Sequence, residues 1–255
     1  MFNKAKILES YKLESLDGEI GKIKDLYFDD KYWAIRYLVV DTGSRFALNQ
    51  VLISPHALIA VDRQAQHITI NLTKKKIADG PSLNMDKPVS RQFEDAYYRY
   101  YGWPTYWGGA YMWGNYPSIT TERDYWRASN QDGKEWDPHL RCTSHVGHYC
   151  IQAIDGEMGH IDDFIIDDGS WAIRYLVVDT QNWWVGKKVL ISPKWIERVS
   201  WSESKIFVNV TRETIKQSPE YTDRFLLTRD YETRLHRHYG RPEYWVDELA
   251  ANLNP

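Results

Sequence analysis

Five residues that could ligate a metal ion lie within twelve positions of one another: His139, Cys142, His145, His148 and Cys150. Thiolate and imidazole are common zinc ligands, and four of them can close a tetrahedral site. The spacing C-x2-H-x2-H-x-C over residues 142–150 matches no standard zinc pattern. We therefore interpret the stretch as a plain linker with a partly buried thiol and expect no bound metal. Cys142, His145, His148 and Cys150 are the candidate ligands if this interpretation fails.

Carboxylates offer a second possible chemistry, because oxygen ligands of this type bind calcium. They recur as Asp29, Asp30 and Asp41 and again as Asp167, Asp168 and Asp179. They lack the dense alternating spacing of a calcium loop, so we interpret them as turn and strand-end residues. The sequence contains no G-x-S-x-G, no Gly-rich phosphate loop and no H-E-x-x-H. We expect no catalytic residue, no cofactor and no enzymatic activity.

Large aromatic and arginine side chains are the candidates for protein contacts. Trp183 and Trp184 follow a predicted strand in a turn, and exposed Trp is a common interface anchor. The alternative, which we prefer, is that they seal the contact between two domains of this chain. The full set of candidate interaction or inter-domain residues is Trp183, Trp184, Trp107, Trp245, Arg36 and Arg174.

The charge balance argues against a nucleic-acid-binding protein. The chain has 32 Lys and Arg against 35 Asp and Glu, which gives a net charge of −3, and its aromatics include 12 Trp and 18 Tyr. A phosphate-binding surface normally needs a basic excess. We therefore expect no direct binding to nucleic acid.

The sequence also bounds the cellular compartment. Its two cysteines cannot form a disulfide framework. The N-terminus lacks the apolar core of a signal peptide, and no apolar run is long enough to span a membrane. We expect a cytoplasmic protein.

The elements that would position all these residues occur twice. Residues 33–42 read WAIRYLVVDT, and residues 171–180 read the same ten letters. The offset of 138 holds without a gap from residues 11–107 to residues 149–245, and about 38 of these 97 pairs are identical. The chain therefore contains an internal duplication.

Each repeat reads as short strands followed by an aromatic helix. Five or six runs of apolar and β-branched residues alternate with turn residues, which predicts a small β-barrel. Gly21 predicts a bulge or sharp bend. Ser90 is predicted to cap a helix that ends at Gly102, and Thr228 to cap its copy. The fold class is thus mostly β with short helices, built as two tandem barrels that each precede a helix.

The duplication sets the predicted domain boundaries. The stretch between the repeats is rich in Gly and aromatic residues and has no counterpart in the duplication. It is predicted to lie as a strap on a barrel. The predicted segments are residues 1–107 for the first repeat, 108–140 for the strap, 141–245 for the second repeat and 246–255 for a tail.

The repeated motifs resemble one known family. Gly18-Glu19-x-Gly21-x-Ile23-x-Asp25, the WAIRYLVVDT strand and Val51-Leu52-Ile53-Ser54-Pro55 resemble the PRC-barrel domain, and both copies carry this pattern. That domain is named for the photosynthetic reaction-centre H subunit and is similar to the C-terminal domain of a ribosome maturation factor. The trailing Tyr-Gly-x-Pro-x-Tyr-Trp motifs look like those of tandem, free-standing bacterial members. The resemblance implies a small barrel that binds other proteins and implies no shared catalytic residue.

These observations favour a non-enzymatic adaptor or scaffold with an unknown protein partner. The alternatives are an RNA- or ribosome-associated assembly factor and an electron-transfer accessory protein like the H subunit. The chain lacks the membrane helix of the H subunit and the N-terminal domain of the maturation factor. An enzyme or metal-dependent sensor would rest on the Cys/His cluster alone.

The strands at 33–42 and 171–180 are apolar on both faces, and one barrel interior can bury only one of them. We expect the two barrels to pack on each other within the chain, with a homodimer as a further possibility. A fragment of residues 11–107 should therefore dimerise or aggregate, because its exposed apolar surface lacks a cover. Sedimentation tests this, and a fragment that stays monomeric at high concentration would contradict it.

Overall fold

The computed structural model describes residues 1–43, 50–81, 89–107, 139–180, 187–222 and 227–246. The chain divides into two compact units. Unit 1 comprises Met1, Asn3–Ser144 and Ile166–Ile173, and unit 2 comprises Phe2, His145–Ile165 and Arg174–Pro255. Each unit is built mainly around one copy of the repeat.

The first sheet is mixed and has seven strands. Its main path runs β5-β4-β3-β2-β7-β6, with β8 paired to β3. Strand β2 pairs in parallel with β7, whereas the other neighbours are antiparallel. The strands are β2 (Lys12–Ser15), β3 (Gly18–Asp29), β4 (Ala34–Asp41), β5 (Gln50–Ile53), β6 (Leu58–Asp62), β7 (His67–Ile70) and β8 (Leu140–Cys142).

The second sheet repeats this order. Its main path runs β12-β11-β10-β9-β14-β13, with β1 paired to β10. Strand β9 pairs in parallel with β14, as β2 does with β7. The equal strand order supports the predicted duplication. The strands are β1 (Phe2–Lys4), β9 (Cys150–Ala153), β10 (Gly156–Asp167), β11 (Ile173–Asp179), β12 (Lys188–Ile191), β13 (Ile196–Ser200) and β14 (Lys205–Val208).

The prediction of closed barrels is wrong. Each main path has two ends, and among the described residues the end strands β5 and β6, or β12 and β13, do not pair with each other. Closure needs a continuous row of hydrogen bonds across the seam. These end strands have only four or five residues, and a helix covers the sheet instead.

The stretch before the second repeat contributes to the first sheet. Strand β8 places Cys142 opposite Tyr27 and Leu140 opposite Asp29 on β3. The predicted second segment began at residue 141, yet residues 140–142 belong to unit 1. Of the predicted strap over residues 108–140, residues 108–138 lie outside the described residues.

The two aromatic helices begin at their predicted cap residues. The described helices are α1 (Ala5–Leu8), α2 (Lys74–Ala78), α3 (Arg91–Tyr101), α4 (Thr143–Val146), α5 (Arg212–Gln217) and α6 (Arg229–His238). The Ser90 side chain accepts a hydrogen bond from the backbone of Phe93, and Thr228 does the same for Tyr231. Helix α3 ends at Gly102, whose left-handed backbone suits glycine. None of the described helices is long and apolar enough to cross a membrane.

Helix α3 covers strand β4 of unit 1, which lies next to the end strand β5. Tyr37 and Val39 on β4 form one buried cluster with Tyr97 and Tyr98 on α3 and with Tyr106 just beyond it. The strand is buried over seven of its eight residues. The face of this strand that carries Tyr37 and Val39 is therefore covered by the aromatic helix of the same unit.

Gly21 marks a close backbone approach. A Cβ at this position would lie 1.9 Å from the carbonyl oxygen of Asp41, and at Gly159 it would lie 2.2 Å from that of Asp179. The pairing of β3 with β2 and with β4 shifts register beside this glycine. The predicted bulge is thus confirmed, and glycine is required because any side chain would meet backbone.

Gly21→Ala should lower the free energy of unfolding by about 2–4 kcal/mol, since the backbone of β4 cannot move away cheaply. Gly169→Ala is the matched control, because its Cβ would meet only a carboxylate oxygen at 3.4 Å. Urea unfolding of both variants tests this. Equal midpoints for the two variants would contradict the close approach.

Candidate functional site

The candidate metal ligands do not assemble. Within the described ranges, no group of three or more His, Cys, Asp or Glu side chains could hold a metal ion. Cys142 lies on β8 in unit 1, whereas His145, His148 and Cys150 belong to unit 2. Cys150 starts β9, where burial raises the pKa of its thiol. The absence of metal remains a prediction for purified protein.

The aspartates lie in turns and at strand ends, as predicted, and several of them also form ion pairs. Asp29 accepts a hydrogen bond from the backbone of Tyr32 and forms a buried ion pair with Arg36. Asp30 pairs with Arg141 at 3.0 Å, and burial raises the pKa of Asp30 to about 6. Asp167 closes its turn by accepting from Gly169 and Ser170.

The most connected polar group in unit 1 is a set of five side chains that we term the Glu94 network: Tyr37, Arg91, Glu94, Tyr106 and His139. Glu94 lies on α3 and is fully buried. Its Oε1 accepts from the hydroxyls of Tyr37 at 2.9 Å and Tyr106 at 2.7 Å. Its Oε2 lies 2.9 Å from both Arg91 Nη1 and His139 Nε2. The network thus joins α3 to strand β4 and to the residue before β8.

Stacked cations extend this network to two of the predicted interaction residues. The Arg36 guanidinium lies 4.1 Å from the centre of the Tyr106 ring, and that of Arg91 lies 4.2 Å from the Trp107 ring. Arg36 is fully buried, whereas Trp107 is half-buried. Such contacts stabilise by about 0.5–2 kcal/mol each. Arg36 therefore has partners within its own unit.

Unit 2 contains the Glu232 network: Tyr175, Arg229, Glu232, His236 and Tyr244. The Oε1 atom of Glu232 accepts from Tyr175 at 2.9 Å and from Tyr244 at 3.0 Å, and Oε2 lies 3.1 Å from Arg229. His236 Nε2 lies 3.0 Å from the Tyr175 hydroxyl. Four of these positions match the Glu94 network at the repeat offset, and His236 stands where the first repeat has Tyr98.

The cation stacking is also repeated in unit 2. Arg174 lies 4.2 Å from the Tyr244 ring, and Arg229 lies 4.0 Å from the Trp245 ring. Arg174 is buried and Trp245 is half-buried. The remaining interaction candidates, Trp183 and Trp184, lie outside the described residues, so their role stays a prediction.

The pKa values of the two buried glutamates shift in opposite directions. Burial alone would raise the pKa of Glu94, but the hydrogen bond from His139 and the charge of Arg91 outweigh it and lower the pKa below 4.5. For Glu232, burial dominates the hydrogen bond from Tyr175 and the charge of Arg229, and the pKa is raised above 4.5. Glu94 is therefore held as a carboxylate, whereas Glu232 is easier to protonate than an ordinary glutamate.

Neither Glu94 nor Glu232 is among the candidate site residues that the sequence predicts. A signal was present, because Arg, Glu and Tyr recur at the repeat offset on and after the aromatic helix. Both glutamates are at most 1% exposed, and the networks fasten each helix to its sheet.

No protein-family model matches the chain, and a search of curated proteins finds no match either. The resemblance to the PRC-barrel domain therefore stays a prediction from the motifs.

Glu94→Gln should destabilise the protein by about 3 kcal/mol at pH 7, because it leaves Arg91 and His139 facing a neutral group in a buried site. The low pKa of Glu94 stabilises the fold above pH 4.5, the ordinary value, and this contribution is lost as pH falls through the folded-state pKa. Denaturant unfolding from pH 7 to pH 3 measures both effects. A variant as stable as the parent at pH 7 would show that Glu94 is not held as an anion.

Proposed function

We propose that the protein is a non-enzymatic adaptor that works in the cytoplasm and binds a protein partner through the same turn of each repeat. The observation that carries the proposal is an exposed aliphatic residue at equivalent positions of both copies. Leu16 is 63% exposed and Ile154 is 64% exposed. Each precedes the Asp-Gly turn that joins the first two strands of its repeat.

Other exposed aliphatic residues do not recur in this way. Ile59 is 59% exposed, but its counterpart is Glu197, and the exposed Ile7 has His145 as its counterpart. An exposed position can become polar at little cost, since it contributes little to the core. An aliphatic residue kept in both copies of the turn therefore favours a role outside the fold.

The turns hold these residues in a fixed setting. Asp17 accepts hydrogen bonds from the backbone of Lys74 and from Ser15, and Asp155 accepts from the backbone of Arg212. The Lys74 ammonium lies beside Gly18, and the Arg212 guanidinium lies beside Gly156. Each turn thus presents an aliphatic side chain next to a basic one. This surface suits a partner with an apolar pocket rimmed by acidic groups.

Two copies of one surface also suit an adaptor. A partner, or two linked partners, that engages both turns gains affinity without any new type of contact. The resemblance to the PRC-barrel domain supports the same function, because that family's barrels bind proteins.

The second candidate is an RNA- or ribosome-associated assembly factor, which the similarity to the maturation factor favours. The net charge of −3 weighs against it, because nucleic-acid affinity depends mainly on a basic excess. A third possibility, an accessory protein like the reaction-centre H subunit, rests on the family resemblance alone.

Crosslinking pull-down from native cells, with and without nuclease, tests the proposal. The parent should capture a defined protein that resists nuclease. The Leu16→Ser/Ile154→Ser double variant should lose at least about tenfold of that capture, since burying one such side chain contributes about 1.5–3 kcal/mol.

Ile59→Ser is the matched control, because it removes an equally exposed aliphatic that is not repeated. It should retain the capture. Equal capture by the double variant would refute the turn as the binding surface, and capture lost on nuclease treatment would favour the RNA alternative.

A further inference from the structure

The hydrogen atoms of the Glu232 network can be counted from its contacts. His236 Nδ1 lies 2.7 Å from the carbonyl oxygen of Pro242. A carbonyl oxygen only accepts, so Nδ1 must carry a hydrogen. In a neutral imidazole, the other nitrogen, Nε2, is then an acceptor. Its neighbour is the Tyr175 hydroxyl.

That hydroxyl faces two acceptors at once. Tyr175 has a single hydrogen, yet its oxygen lies 3.0 Å from His236 Nε2 and 2.9 Å from Glu232 Oε1. If His236 is neutral and Glu232 is ionised, one of these two buried contacts lacks a hydrogen. An unsatisfied buried contact is costly. The Tyr244 hydroxyl cannot supply the missing hydrogen, because it donates its own to Glu232.

We propose that unit 2 contains a buried proton-binding site in which one additional proton is shared along His236, Tyr175 and Glu232. With this proton, both contacts of the Tyr175 hydroxyl, to His236 and to Glu232, have a hydrogen. The proton resides on Glu232, which donates to Tyr175, which donates to His236. In the other arrangement it resides on His236, and the two hydrogen bonds run in the opposite direction. Both arrangements satisfy the same contacts, and both contain the same number of protons.

Charged side chains around the site affect where this proton resides but do not supply the missing hydrogen. Arg229 lies beside Glu232 Oε2 and donates to Tyr244, and Arg174 stacks on the Tyr244 ring. Their positive charges favour an ionised Glu232. Lys194 opposes, and Glu243 favours, a protonated His236. The site is closed to solvent, because Glu232 and His236 are each 1% exposed.

Aromatic rings complete the enclosure of the imidazole. The ring centres of Trp195, Tyr244 and Trp245 lie 5.1, 6.0 and 5.4 Å from that of His236. Burial lowers the pKa of His236 and raises the pKa of Glu232. Both directions agree with a proton that rests mainly on the carboxyl group.

Unit 1 places its imidazole differently. Tyr98 replaces His236, and its hydroxyl lies 3.3 Å from that of Ser54. The imidazole of the Glu94 network is that of His139, whose Nε2 lies 3.0 Å from the Tyr106 hydroxyl and 2.9 Å from Glu94 Oε2. The two copies thus differ in the position of the imidazole relative to the buried glutamate.

The shared proton has a definite effect on stability. In the unfolded chain, His236 and Glu232 have their ordinary pKa values of 6.5 and 4.5. Together they then hold two acidic protons below pH 4.5, one between pH 4.5 and 6.5, and none above pH 6.5. The folded site holds one throughout. Stability from this site is thus greatest between pH 4.5 and 6.5. It falls as pH rises above 6.5, because unfolding then releases a proton.

Infrared and nitrogen NMR spectra of the full chain at pH 7.5 test the proposal, since this pH lies well above the pKa of Asp30, about 6. We expect the carbonyl band of a buried carboxylic acid that Glu232→Gln removes and that Glu94→Gln leaves. A doubly protonated His236 ring would also support the shared proton. An ionised Glu232 beside a neutral His236 would overturn it.

Glu232→Gln also provides a thermodynamic readout, because an amide mimics the protonated carboxyl group by donating to Tyr175. Between pH 6.5 and 8, the unfolding equilibrium constant of the parent should rise by up to about tenfold per pH unit relative to that of the variant. A ratio that does not change with pH would overturn the proposal. If the variant does not fold, the NMR spectrum of the parent still decides it.

Discussion

The hydrogen bond between a tyrosine hydroxyl on the repeated strand, β4 or β11, and a buried glutamate on the trailing helix is the interaction on which each unit depends. Tyr37 donates to Glu94 in unit 1, and Tyr175 lies at the same distance from Glu232 in unit 2, 2.9 Å. A buried carboxyl group without partners would cost several kcal/mol, so its donors must be in place. Strand, helix and the segment after the helix must therefore fold together. This requirement explains why an open sheet of short strands can hold its helix in one position.

The two copies meet this requirement with different chemistry. In unit 1, Arg91 and His139 lie beside Glu94 Oε2, and the pKa of this carboxyl group is lowered. In unit 2, an imidazole occupies the position of Tyr98, and the contacts require one more proton. The two sites share four of their five positions and differ in the source of the imidazole, since His139 lies outside the repeat and His236 lies on the helix. Since the rest of the packing is repeated, the copies form an internal comparison within one chain.

The sequence predicts the local features well, because local chemistry determines them. Ser90 caps its helix, the Asp17-Gly18 turn joins β2 to β3, and Gly21 lies where two backbones meet. The sequence does not predict correctly whether the sheets close into barrels, since closure depends on the length and register of the end strands rather than on their composition. It also missed Glu94, because a glutamate in the first turn of a helix is usually a surface residue. Only the three-dimensional meeting of that carboxyl group with Tyr37 and His139 distinguishes the two cases.

A double-mutant cycle on Tyr37 and Glu94 tests this account most directly. Tyr37→Phe removes only the hydroxyl, Glu94→Met keeps the length of the side chain, and the cycle cancels effects that each change has alone. Denaturant unfolding of the parent, the two single variants and the double variant yields the coupling free energy. The account predicts a favourable coupling of about 1–3 kcal/mol, as for a hydrogen bond to a buried charge. A coupling near zero would contradict the claim that this pair fastens the helix to the sheet.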